Sequence, residues 1–178
     1  MPGRKKPRKL APGDLKEAAL DHLARYATST ARLRQLLKRR ILRSSKAHEF
    51  DPASLLAELE AVIAALSRSG ALNDALFAEG KARSLNRRGG SRRQIAAKLA
   101  ASGVAGADSA RALAQLEGEM PDSEFTAALA YAKRRRLGAF RVGADASPER
   151  RKKDLAAMAR AGFALDLARR ALLGKAED

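Results

Sequence analysis

A pattern that returns three times, once per stretch of about 60 residues, constrains this chain more than anything else in it. Each time, a basic stretch without acids carries a helix that starts at a serine, and in the first two copies a more acidic helix follows. Ser29, Leu33 and Leu37 recur 62 residues on as Ser91, Ile95 and Leu99. Leu99, Gly103 and Val104 recur 59 residues on as Met158, Gly162 and Phe163. A repeat of this period turns one long helical chain into copies of a small module. Arrays of such modules serve as extended binding surfaces more often than as enzymes.

The spacing of apolar residues supports three helices per copy. In the first, Asp14 and Glu17 have the spacing of a capping box. Leu15, Ala19, Leu23 and Tyr26 then form one apolar face. Thr28-Ser29 breaks this helix and Ser29 can cap the next, on which Leu33, Leu36, Leu37 and Ile41 recur. Asp51-Pro52 opens a third helix with the stripe Leu55, Leu56, Leu59, Val62, Ile63 and Leu66, ended by Gly70. The second copy starts at Asn73-Asp74, with Leu76, Phe77 and Leu85 lining its first helix. Gly89-Gly90-Ser91 turns into a helix that stops at Gly103, and a third helix near Asp108 points Ala110, Leu113 and Leu116 inward. The third copy opens at Pro121-Asp122, with Phe125, Leu129 and Ala132 on one face and a long loop from Gly138 to Ser147. Ser147-Pro148 starts a helix with Leu155 and Met158 inward, Gly162 ends it, and Leu167, Ala171 and Leu172 finish the chain. No alternating run suggests a strand. We expect an all-α protein: an elongated array of three tandem three-helix repeats at 14–70, 71–120 and 121–174. A disordered basic arm precedes them at 1–13 and a short tail follows at 175–178.

Composition narrows the chemistry. Cysteine is absent and the two histidines, His22 and His48, are not paired at helical spacing, so a zinc site is not expected. His22 reads as a partly exposed helix residue. Gly174-Lys175 has no glycine-rich loop before it and is not a phosphate loop. Carboxylates are scattered over polar helix faces. We therefore expect no catalytic site, no metal and no cofactor. No apolar run reaches the ~18 residues of a membrane span, and no apolar segment follows the charged N-terminus as a secretory signal would require. A monomer in a reducing cytoplasm is the expectation.

Charge points to the partner. Lys and Arg number 36 against 20 acids, a formal net charge of +16. A surplus of this size is self-repelling unless an anionic partner offsets it. From His22 to His48 there are eight Lys/Arg and no acid, from Gly80 to Ala107 seven and no acid, and from Phe125 to Ala144 five and no acid. Acids gather in the third helices of the first two copies, at Glu49, Asp51, Glu58 and Glu60, then Asp108, Glu117 and Glu119. Regular stacking would align the basic stretches into a ridge. The candidate contacts on it are Arg34, Lys38, Arg39, Arg87, Arg88, Arg92, Arg93, Lys98, Arg134, Arg135, Lys152 and Lys153. The sharpest segment is Arg87-Arg88-Gly89-Gly90-Ser91-Arg92-Arg93, where backbone N–H groups at a helix start flanked by four Arg could hold a phosphate or a carboxylate. Aromatics are only 4%, too few for a base-stacking platform. Nucleic-acid contact would be to phosphate, salt-sensitive and sequence-neutral. Ile95-Ala96, Leu99 and Gly103-Val104 look like the start of a helix-turn-helix, but Ala100, Ala101 and Ser102 displace the turn and spoil that geometry.

The run Gly70-Ala71-Leu72-Asn73-Asp74, Phe77-Ala78, Arg83-Ser84 and Arg88-Gly89-Gly90-Ser91 resembles the central signature of the RecX regulatory family. Ala19-Leu20, Leu23-Ala24-Arg25, Ser29 and Leu33-Arg34 resemble its opening, and Arg160-Ala161-Gly162-Phe163 its C-terminal repeat. The resemblance covers roughly residues 15–173. It departs at Ile41-Leu42, where the first repeat usually has Gly and an aromatic, and in the insertion from Arg43 to Glu49. The resemblance implies an elongated helical-repeat protein that binds the RecA recombinase and its DNA filament, inhibits its ATPase and strand exchange, and has no catalytic motif. That would place it in recombination, DNA repair and the SOS response. Without the resemblance, the charge pattern alone fits a sequence-neutral DNA-binding architectural protein.

Overall fold

The computed structural model describes residues 7–141, 143 and 147–174. Among them the apolar spacing yields nine α-helices, one short 3-10 turn and no strand. In chain order the helices are α1 (Asp14–Arg25), α2 (Thr30–His48), α3 (Ala53–Arg68), α4 (Asp74–Arg87) and α5 (Arg92–Ala100). Then come α6 (Gly106–Glu119), α7 (Ser123–Arg135), the 3-10 turn Gly138–Phe140, α8 (Pro148–Arg160) and α9 (Leu165–Leu172). The chain divides into two compact units, residues 1–77 with 102–104, and residues 78–101 with 105–178.

In the first unit α1, α2 and α3 pack on one another around Leu15, Ala19, Leu33, Leu37, Ile41, Leu59 and Ile63, all nearly or fully removed from solvent. The stripe expected on α3 is the inner wall of this core. Ser29 caps α2 by accepting the Arg32 N–H at 3.3 Å. Two expectations fail here for local reasons. The Asp14–Glu17 capping box does not form: Gly13, at φ 90°, takes the N-cap position, and Asp14 Oδ2 instead accepts the Ala11 N–H at 2.8 Å. Tyr26 is 61% exposed because the helix has ended and the residue is in extended backbone. His22, half-buried, lies beside it with ring centroids 5.2 Å apart.

The basic arm expected over 1–13 is held down at its described end. Leu10 is 6% exposed within the first unit's core, and its N–H donates to Ser44 Oγ at 3.0 Å. Ser44 Oγ donates to the Arg8 carbonyl at 3.2 Å, and His48 Nε2 donates to the Pro7 carbonyl at 2.8 Å. The buried Leu10 and these hydrogen bonds together dock it. Arg4, Lys5 and Lys6 lie outside the described residues, as does the tail 175–178.

In the second unit α5 packs on α6, and α9 packs on both α7 and α8. Phe125, Ala128, Ala132, Met158, Phe163, Ala168 and Ala171 form its main core. Small residues dominate, which brings helix backbones close. On α4 the inward stripe is likewise small, with Ala78, Ala82, Leu85 and Asn86 buried. Leu76, expected inward, is 63% exposed, since it lies two residues, about 200° of helix, from Ala78. On α6 the inward residues are Ser109, Ala112, Leu113 and Leu116, and Ala110, one step off that stripe, is exposed.

Each unit contains the same joint. In the first, Ser29 Oγ donates to the Ser102 carbonyl, and the Thr30 N–H donates to Asp74 Oδ1 at 2.7 Å. In the second, Ser91 Oγ donates to the Ala161 carbonyl at 2.5 Å, and the Arg92 N–H donates to Glu124 Oε2 at 2.8 Å. Both serines are fully buried. In each joint a glycine with positive φ, Gly103 at 75° or Gly162 at 93°, faces the start of the serine-capped helix so closely that a Cβ would collide with Ala31 or with Ser91 and Arg93.

Candidate nucleic-acid and partner interface

The segment from Asn86 to Arg93 is built by a glycine-ended helix and a serine-capped one. The Gly89 N–H donates to the Asn86 carbonyl at 2.7 Å and the Gly90 N–H to the Leu85 carbonyl at 2.9 Å. With Gly89 at φ 75°, this is a Schellman ending for α4. A Cβ on Gly89 would lie 2.6 Å from the Tyr131 backbone nitrogen, so only glycine lets this turn lie against α7. Asn86, 2% exposed, secures it by donating Nδ2–H to the Ser123 carbonyl at 2.9 Å. Ser91 accepts the Gln94 N–H at 3.2 Å, so it is both the cap of α5 and, through Ala161, part of the joint.

The start of α5 is not an open anion site. The expectation of a phosphate or carboxylate there is met from within: Glu124 occupies the Arg92 N–H. Burial raises the Glu124 pKa above the ordinary carboxylate value. The hydrogen bond from the Arg92 N–H and the Arg92 charge oppose that rise, and the Glu117 charge adds to it. Arg92 itself reaches Glu117 at 3.8 Å. The side chain of Arg93 is exposed but runs over Gly162, whose ideal Cβ would lie 3.1 Å from Arg93 Cβ.

The structure draws other candidates together. Arg134 Nη1 donates to the Arg88 carbonyl, and its guanidinium lies 5.5 Å from the Tyr131 ring centroid. The C-terminal ends of α4 and α7 therefore meet, and their neighbours Arg87 and Arg135 extend the cluster as exposed cations. Such residues also complement the negative ends of both helices. Lys98 is exposed on α5, and Lys152 and Lys153 are exposed on α8, within the same unit. In the first unit Lys38 and Arg39 are exposed on α2, while Arg34 Nε donates to Glu60 at 3.0 and 3.1 Å. Exposed pairs such as Arg34–Glu60 and Arg92–Glu117 contribute about 0–1 kcal/mol each, so they could be exchanged for phosphate.

Three features had no part in the sequence reading. Glu124 is one, although its place is readable afterwards, since Asp74 does the same for Thr30 in the first unit. The others are Arg141 and Asp154. Asp154, 6% exposed, accepts from Arg141 Nη2 at 2.7 and 2.8 Å and from the Gly138 N–H at 2.9 Å, which ties the described start of the Gly138–Ser147 loop to α8. The signal for it is an acid four residues before Met158, on the inward face of a helix whose other acid, Glu149, is in its first turn.

The chain is similar to the regulatory protein RecX of Myxococcus xanthus (strain DK1622), with 43% identity over 170 residues that span 96% of this chain and 90% of the relative. The chain belongs to the RecX family. No family model and no solved structure matches it. For a RecX-family chain the match is therefore nearly end to end on both sides. No helix among the described residues is long and apolar enough to cross a membrane.

Proposed function

We propose that this RecX-family chain is a non-enzymatic regulator of the RecA recombinase that inhibits it by binding RecA and the RecA–DNA filament in the cytoplasm. Membership of the RecX family over nearly the whole chain is the observation that carries this reading. The basic cluster at the ends of α4 and α7 supports its DNA-contacting half, with Arg87, Arg88, Arg134 and Arg135 as phosphate contacts. Lys38, Arg39, Arg93, Lys98, Lys152 and Lys153 are the further exposed cations we assign to it, and Arg34 and Arg92 serve once their internal partners are exchanged. We read the chain as a monomeric, elongated array of three three-helix repeats that lies along the filament. The recurrence of the serine-and-glycine joint supports the repeat.

Measuring RecA's DNA-dependent ATPase at low ratios of this protein to RecA tests the reading. Inhibition well below stoichiometric coating is expected, whereas inhibition only at full coating of the DNA would favour the architectural reading. Reversing Arg87, Arg88 and Arg134 to Glu should lower affinity for bare single-stranded DNA and reduce the salt dependence by roughly one in slope per lost phosphate contact. Unchanged anisotropy titrations between ~50 and ~200 mM salt would remove this cluster from the interface.

A further inference from the structure

An aromatic ring lies within the basic cluster where the ends of α4 and α7 meet. Tyr131, near the end of α7, is half-buried. The turn that carries Arg87 and Arg88 is pressed against its backbone, since a Cβ on Gly89 would lie 2.6 Å from the Tyr131 nitrogen. On the core side the ring packs on Phe163, which is 4% exposed, with centroids 5.6 Å apart and planes tilted by 59°. On the solvent side its cover is the guanidinium of Arg134, an exposed residue, 5.5 Å from the ring centroid. That guanidinium is held by the Arg88 carbonyl. Arg87, Arg88 and Arg135 are exposed nearby, and all of these residues belong to the second unit.

We propose that Tyr131 stacks on one base of a single-stranded DNA, with Arg134 leaving the ring to take a phosphate beside that base. This rests on the DNA-contacting half of the reading above and deepens it, naming the form of DNA the cluster prefers and the residue that sets the preference. A guanidinium and a base both use the face of an aromatic ring, so they compete for it. The cation–ring contact is weak where it is exposed to water. The hydrogen bond to the Arg88 carbonyl is replaced by a charge-assisted one to phosphate, which is stronger. The exchange therefore favours the nucleic acid. An acidic peptide would satisfy the guanidinium groups but leave the ring uncovered. In a duplex the bases are paired and stacked on one another, so the cluster meets phosphates and the ring meets nothing. One ring among four cations is not the many-aromatic platform that the composition argues against, and it serves one base.

The test compares the unaltered chain with Tyr131→Leu, Tyr131→Phe and Arg134→Ala, each checked for helix content by circular dichroism. Anisotropy would give affinities for a single strand, an abasic strand of the same length, and the corresponding duplex. The unaltered chain should prefer the base-bearing strand to the abasic one by about tenfold, the size of one stacked base. Tyr131→Leu keeps an apolar contact for Phe163 and should lose about tenfold for the base-bearing strand, with the abasic strand and the duplex changed less than about twofold. Tyr131→Phe should bind as the unaltered chain does. Arg134→Ala, which removes a phosphate contact, should weaken binding to all three alike. If the unaltered chain binds none of the three, the DNA-contacting reading itself falls. If it binds the abasic strand as tightly as the base-bearing one, only the base contact falls, and this comparison needs no variant to fold. Equal losses for all three ligands in Tyr131→Leu would make the ring a support for Arg134 and also overturn the proposal.

Discussion

Gly103 offers a measurement of how much the joint in the first unit contributes. Gly70 is its control, because both glycines have φ 75° and both belong to that unit. Alanine in that region of backbone costs about 1–2 kcal/mol, and the two substitutions share this cost. At Gly70 nothing lies within 4 Å of a new Cβ, so the strain is the whole effect. At Gly103 the methyl would overlap Ala31 Cβ in the first turn of α2. Relieving the overlap moves residues 102–104 away from α2, a packing cost of about 1–3 kcal/mol. The same movement pulls the Ser102 carbonyl from the buried Ser29 hydroxyl, a loss of roughly 1 kcal/mol. Gly103→Ala should therefore destabilise by roughly 2–4 kcal/mol more than Gly70→Ala. With a urea dependence of about 2 kcal/mol per molar, its midpoint should fall about 1–2 M further. Urea titrations followed by circular dichroism on the unaltered chain and both variants would show this. Coincident midpoints for the two variants would mean that the glycine is needed only for its backbone angle and that the joint is not tightly packed.

The second unit gives two further expectations. Burial raises the Glu124 pKa, so the folded protein holds that proton more tightly than the unfolded chain. The resulting stability is present in acid and is lost as pH rises through the raised value. Glu124→Gln keeps an acceptor for the Arg92 N–H without the charge, so it should be more stable than the unaltered chain at about pH 7 and equal to it at about pH 4. Denaturation midpoints at the two values decide it, and a gap that widens in acid would reverse the sign. Asp154→Ala strands Arg141 and the Gly138 N–H together. Loss of one partner from a buried pair costs about 3–5 kcal/mol. Arg141 keeps 20% of its side-chain exposure, so roughly 2–4 kcal/mol is expected here, and a midpoint shift no larger than that of an exposed pair such as Arg34→Ala would contradict it.

Local punctuation was readable in some detail. Ser29, Ser91 and Ser147 cap α2, α5 and α8, and Gly70, Gly89, Gly103 and Gly162 take the positive φ angles that end or turn helices. The equivalence of Leu33 and Leu37 with Ile95 and Leu99 also holds in space, all four being at most 1% exposed. Faces were less legible where the core is made of alanine. Leu76 was misplaced because hydrophobicity alone ranks leucine above alanine for the inside, whereas close helix packing selects the smaller residue, and Ala110 because the inward position beside it is a serine, Ser109. The site was legible as a list of cations but not as a geometry. Nothing local distinguishes Arg34, which faces Glu60, from Lys38 and Arg39 one turn on.

What the amino-acid order determined by itself is whatever acts over one or two helical turns: where helices start and stop, which stripe is apolar, that a module recurs, and which family the chain resembles. Caps, glycine angles and amphipathic stripes depend on residues three or four apart, so a window of sequence contains both partners. Only the tertiary structure decided that Ser29 and Ser91 bind carbonyls more than 60 residues away, at Ser102 and Ala161. It also decided that Glu124 fills the start of α5, that Arg134 reaches Arg88, and that Leu10 anchors part of the basic arm. Those partners are chosen by the packing of whole helices, which sums many weak contacts over distant segments. No single residue pair along the chain carries enough of that energy to announce itself beforehand.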